Sequence, residues 1–193
     1  MREFDPVRLA DLELRMWQAY YAKERVRLFA LLVTMLHAQY HYSWATATRE
    51  GFHLARAAAT FGDAKCGGDG GRPDPCRPPS PILDDLTTAY GMARSWLDAR
   101  FDPSAVARAE LAWWVARRVP GRNSAEQVGA LMADEYALLY ETSRAKVAPS
   151  ALLRAQAAKL RDEQAARPDW DRIGDLLRQS YYELRVALAT EAV

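Results

Sequence analysis

The stretch Phe4-Asp5-Pro6-Val7-Arg8-Leu9-Ala10-Asp11-Leu12-Glu13-Leu14-Arg15-Met16-Trp17 returns 97 positions later as Phe101-Asp102-Pro103-Ser104-Ala105-Val106-Ala107-Arg108-Ala109-Glu110-Leu111-Ala112-Trp113-Trp114. Phe, Asp, Pro, Ala, Glu, Leu and Trp stay in register, the pattern of a chain built by internal duplication. The repeat extends well beyond this opening. After a three-residue insertion Leu28 aligns with Val128, Leu31 with Leu131, Tyr40 with Tyr140 and Ser43 with Ser143. Toward the end of each copy Ile82, Asp84, Leu86, Tyr90 and Arg94 align with Ile173, Asp175, Leu177, Tyr181 and Arg185.

Apolar residues recur at intervals of three and four and no run alternates with period two, which implies an all-α chain. The expected fold is a bundle of six to eight helices in two pseudo-symmetric repeats, about 4–100 and 101–190, within one domain. Much of the repeated opening is helix-start chemistry. Asp5 and Asp102 are N-cap acceptors, Pro6 and Pro103 suit the first helical position, and Phe4 and Phe101 can staple onto Leu9 and Val106. No Pro or Gly follows Pro6 until Gly51, so one helix is predicted to run to about Tyr42. In the second copy Val119-Pro120-Gly121-Arg122-Asn123-Ser124 interrupts, with Asn123 or Ser124 capping a helix to about Glu141. Third elements are expected over 43–61 and 150–166, the latter capped by Pro149 and Ser150. The closing helices start at Ser80-Pro81 and Asp169.

Residues 62–79 form an insertion rich in Gly and Pro and are expected to be a flexible surface loop. They hold both cysteines, Cys66 and Cys76, whose spacing suits neither a zinc site nor a disulfide framework, so free thiols are expected. Half of the 193 residues are hydrophobic, enough for one substantial core. With 26 basic and 25 acidic residues the charge balance points to no nucleic-acid or membrane partner. No run approaches membrane-span length and the start has no apolar signal region, so a cytoplasmic location is expected. A small-molecule ligand, a protein partner or a second copy of the chain remain as partners.

Capping does not explain Glu13 and Glu110. With Glu13 at zero on a helical projection, Leu9, Met16, Trp17 and Tyr20 fall within about 60° of it. Around Glu110, Val106, Trp113 and Trp114 do the same. Each half therefore sets a carboxylate where a leucine would be expected, and a buried acid needs a partner or a proton. Three readings follow. First, buried arginines neutralise the acids, with Arg117 facing Glu110 and Arg27 serving the first half. Second, Glu13, Trp17, Tyr20, Glu24, Glu110, Trp114 and Arg117 line a pocket for a small cationic or aromatic ligand, Trp113 and Tyr21 being close by. Third, Glu13, Glu110 and Glu135, with His37 and His41 at i and i+4, bind iron, manganese or zinc, as carboxylate-bridged bundles resembling ferritin do. The third lacks the Glu-x-x-His pairs of such sites, so no cofactor is the primary expectation. No nucleophile motif, phosphate loop or DNA-recognition helix occurs. The chain thus reads as a binding or interaction module with an acid-containing core, and a metal oxidoreductase is the alternative.

Overall fold

The computed structural model describes residues 4–62, 80–119 and 121–189. The described residues form eight α-helices and no strand: α1 (Pro6–Tyr21), α2 (Arg25–Tyr40), α3 (Trp44–Gly62), α4 (Ser80–Leu97), α5 (Pro103–Ala116), α6 (Ala125–Leu139), α7 (Arg144–Glu163) and α8 (Trp170–Ala189). None is long and apolar enough to cross a membrane. Cys66, Cys76 and most of the 62–79 insertion lie outside the described residues.

The Asp-Pro pairs start helices as their chemistry dictates. Asp5 Oδ1 accepts from the backbone N–H of Val7 at 2.9 Å and of Arg8 at 3.2 Å, and Asp102 accepts from Ser104 at 3.0 Å. Ser124 caps α6 through Gln127 N–H at 3.2 Å, and Asp169 accepts from Arg172 N–H at 3.0 Å at the head of α8. Phe4 is buried against the edge of Tyr181.

Two helices depart from expectation. The long first helix is in fact two, because Lys23 takes a left-handed conformation (φ 60°). Its N–H bonds to Tyr20 O and that of Glu24 to Ala19 O, a closure that satisfies the last carbonyls of α1 and turns the chain back as α2. The closure is normally made by glycine, so the sequence carries no signal for it. Further on, α7 begins at Arg144 instead of Ser150 and carries Pro149 in its second turn, losing one backbone bond there.

Each helix packs on the next in the chain, and α8 returns to pack on α1, which closes a ring. Two apolar clusters fill it. One is centred on Leu9, Met132, Ile173, Leu177 and Leu184, the other on Leu36, Ile82, Leu86 and Val106. Trp114 and Tyr140 touch both, so the seam between the clusters runs through the middle of the ring. Small residues set the closest approaches. A Cβ on Gly129 of α6 would lie 3.0 Å from Leu152 Cα of α7, and Ser180 of α8 donates to Ser150 O of α7 at 2.9 Å.

Candidate functional site: an acid-lined central cavity

Glu13 lies in the third turn of α1 and is 1% exposed. Its charge is met by Arg154 of α7, whose Nε and Nη2 both lie 2.7 Å from Oε1. Its other oxygen accepts from the Tyr181 hydroxyl of α8 at 2.7 Å. Burial pulls the Arg154 guanidinium toward a lower pKa, but the charge of Glu13 and neighbouring phenols hold it well above its usual value. Arg154 is therefore charged, and its bidentate contact with Glu13 is structural in character. The guanidinium also sits 5.3 Å from the centre of the Trp113 ring, a cation–π contact.

Beside this pair is a second group of acids. Trp113 donates its indole N–H to Glu135 Oε2 at 2.5 Å, and the Tyr90 hydroxyl donates to Glu110 Oε2 at 2.8 Å while lying 3.3 Å from Glu135 Oε1. A phenol has one proton to give, so Tyr90 cannot serve two carboxylates at once. The conflict is relieved when Glu110 holds a proton and donates to the phenol oxygen, leaving the phenol to donate to Glu135. Burial, followed by the nearby charge of Glu135, pushes the Glu110 carboxyl up to about 8, against the opposing pull of Tyr90, Arg154 and Trp114. Burial raises Glu135 as well, with Arg154 the main opposing influence.

Residues aligned in the sequence thus make the same kind of contact. Glu13 bonds Tyr181 and Glu110 bonds Tyr90, in each case a first-helix acid with a last-helix phenol of the other copy. Their neutralisation differs. Arg154 matches Glu13, whereas its counterpart at position 54 is leucine. Among the described residues no ion pair reaches Glu110.

A cavity of about 630 Å³ opens along the seam, bounded by α1, α2, α3, α5, α6 and α7. Glu110 is half-buried and borders this space. Six residues singled out as ligand-binding line it together: Glu13, Trp17, Tyr20, Glu110, Trp114 and Arg117. Glu24 does not. It precedes α2 on the surface and pairs with Arg27 at 2.8 Å, because the left-handed turn at Lys23 breaks the helical phase that placed it beneath Glu13. Arg27 consequently neutralises no core acid. Nor does Arg117 meet Glu110: its Nη2 donates to Asp162 at 2.9 Å and lies 3.4 Å from the Tyr21 hydroxyl.

The histidines are placed elsewhere. His37 Nδ1 lies 2.6 Å from Tyr42 O and its ring stacks on Trp44, while His41 adopts the left-handed conformation that ends α2. Among the described residues no group of three or more His, Cys, Asp or Glu is arranged to hold a metal ion. Both oxygens of Glu13 are already engaged.

Sequence reasoning missed Arg154, Tyr90 and Tyr181. A signal for Arg154 existed: it shares a helical face with Ala151, Ala155 and Ala158, all fully buried, so a charge at that position had to be partnered. The two tyrosines were visible as a matched pair of the repeat, but nothing local tied them to the acids. No protein-family model, curated protein or solved structure matches the chain.

Proposed function

We propose that the central cavity binds a small organic cation, a protonated amine carried on an apolar body. One observation carries this reading: among the described residues Glu110 borders the cavity with no ion pair of its own, whereas Glu13, at the aligned position, has Arg154. With Glu13 and Arg154 paired to each other, Glu110 and Glu135 are met mainly by neutral donors, the Tyr90 phenol and the Trp113 and Trp114 indoles. An ammonium group at Glu110 supplies the missing positive charge. Trp17, Tyr20 and Trp114 offer aromatic faces to the rest of the ligand and to its charge. The cavity volume lies within the range of small-molecule sites, roughly 300–1,000 Å³.

Titration calorimetry with octylamine and its neutral analogue octanol tests the reading. The amine is expected to bind more tightly by about tenfold, the yield of one charge-assisted hydrogen bond. Glu110→Gln is expected to remove that preference while leaving the fold intact. Equal binding of both compounds, or an amine affinity unchanged in Glu110→Gln, would overturn it.

A further inference from the structure

Glu110 shares the cavity wall with a neutral hydrogen-bond acceptor. Gln39 of α2 borders the same space and is 8% exposed. Its amide Nε2 donates to the Tyr140 hydroxyl at 2.8 Å and to the Tyr40 hydroxyl at 3.3 Å. A side-chain amide has two N–H donors, and both are used here, so the orientation of the group is fixed. The carbonyl oxygen Oε1 is left over, and among the described residues no hydrogen bond reaches it. Nor is that oxygen sealed in protein. Among the described residues the enclosed side-chain atoms without a partner are Tyr42 Oη, Glu50 Oε2, Arg117 Nε and Arg161 Nε. The open space that Gln39 borders is the cavity, so Oε1 is an acceptor held toward it by two phenols.

Gln39 stands at the Glu110 end of this space. Leu36 and Tyr40 of α2, Tyr90 of α4 and Leu111 of α5 belong to one apolar cluster, and Tyr90 carries the bond to Glu110. Burial and the charges of Glu110 and Glu135 raise the Tyr90 phenol, and Tyr40 is close enough to add to them. Beyond Gln39 the α2 wall turns apolar. Leu36, Leu32 and Leu28 recur at intervals of four and all border the cavity, a stripe of about 12 Å. A ligand whose charge lies between Glu110 and Gln39 can lay an alkyl chain along that stripe.

We infer that the ligand is a primary or secondary amine and that Gln39 selects it, accepting one N–H of the ammonium while Glu110 accepts another. The inference rests on the cation site proposed above and adds the substitution of the ammonium nitrogen. A protonated primary amine has three N–H donors and a secondary one has two, enough for both acceptors. A tertiary ammonium has one and a quaternary ammonium none. Either would leave a desolvated acceptor unpaired, which costs more than the bond itself returns when made.

Calorimetry on the wild-type protein with octylamine, N-methyloctylamine, N,N-dimethyloctylamine and octyltrimethylammonium tests the inference, because all four carry one positive charge on the same chain. The first two are expected to bind within about twofold of each other, and the third about tenfold more weakly, the loss of one hydrogen bond to a charged group. In Gln39→Met, which keeps the length of the side chain without the acceptor, the step between the secondary and the tertiary amine should shrink to about twofold or less. The position of the step is read on the wild type, so it decides the matter even where the variant folds poorly. A tertiary amine binding as tightly as the secondary one, or a step that persists in folded Gln39→Met, would overturn the role of Gln39. The cation site would still stand if binding weakened in Glu110→Gln. If none of the four bound, or none lost affinity in Glu110→Gln, both readings would fall.

Discussion

Glu13 and Glu110 align in sequence at an offset of 97 but have opposite consequences for stability. Removing the charge of Glu13 strands Arg154 in the interior, so Glu13→Gln is expected to cost about 3 kcal/mol or more in chemical denaturation. Glu110→Gln removes an acid that folding has to desolvate without a cation, so its melting temperature at neutral pH should equal or exceed that of the wild type. A marked loss would show that Glu110 is stabilised by a partner. The same asymmetry sets the pH dependence. Burial raises Glu110, and separately Glu50 of α3, from the usual carboxyl range to about 8. The folded chain therefore holds protons that the unfolded chain releases, and stability is fully present below the unfolded pKa. It declines as pH rises toward 8 and levels off above. Melting temperatures followed from pH 5 to 9 should fall in this sense, with a shallower decline in Glu110→Gln and in Glu50→Gln.

At the scale of helices, starts and ends were unequally readable. The starts are side-chain chemistry: Asp5, Asp102 and Ser124 accept backbone N–H groups at the positions their residue types favour. Four helix-terminating positions take a left-handed conformation at Lys23, His41, Asp98 and Glu141, none of them glycine. Such residues reach that conformation only because surrounding packing repays a local strain of about 1–2 kcal/mol, which sequence does not show. Two glycines within helices make a controlled comparison. Gly129→Ala sets a methyl group 3.0 Å from Leu152 Cα, backbone that cannot swing aside, and should destabilise the α6 and α7 contact by about 1–3 kcal/mol. Gly91 of α4 has nothing within 4 Å of an added Cβ, so Gly91→Ala should stabilise by about 0.5–1 kcal/mol. Thermal unfolding of the two variants should move in opposite directions.

For the whole molecule, closing α8 onto α1 leaves a seam between two apolar clusters, and the seam accommodates the cavity. Binding a cation there requires Glu110 to be ionised. A quaternary ammonium probe, whose own charge does not titrate, should therefore bind more tightly as pH rises toward 8 and show no further gain above it. Below that pH, binding should release a proton, detectable as a buffer-dependent heat. A pH-independent affinity would mean that the probe does not sit against Glu110.

The all-helical class, most helix starts and the unusual status of Glu13 and Glu110 followed from sequence alone, because caps, periodicity and a charge on an apolar face are local properties of the chain. Six pocket residues were legible for the same reason, since five lie within unbroken helices and Arg117 directly follows one, where about 100° per residue still projects them. The placement of Glu24 failed across a turn that interrupts that projection. Which cation meets which acid was a matter of tertiary structure: Arg154 reaches Glu13 across 141 positions of chain, while Arg27 and Arg117 turn to nearer or outer partners. Long side chains have several carboxylates within reach on any projection. Only the ring's closure selected among them, and in doing so left Glu110 with no ion pair among the described residues.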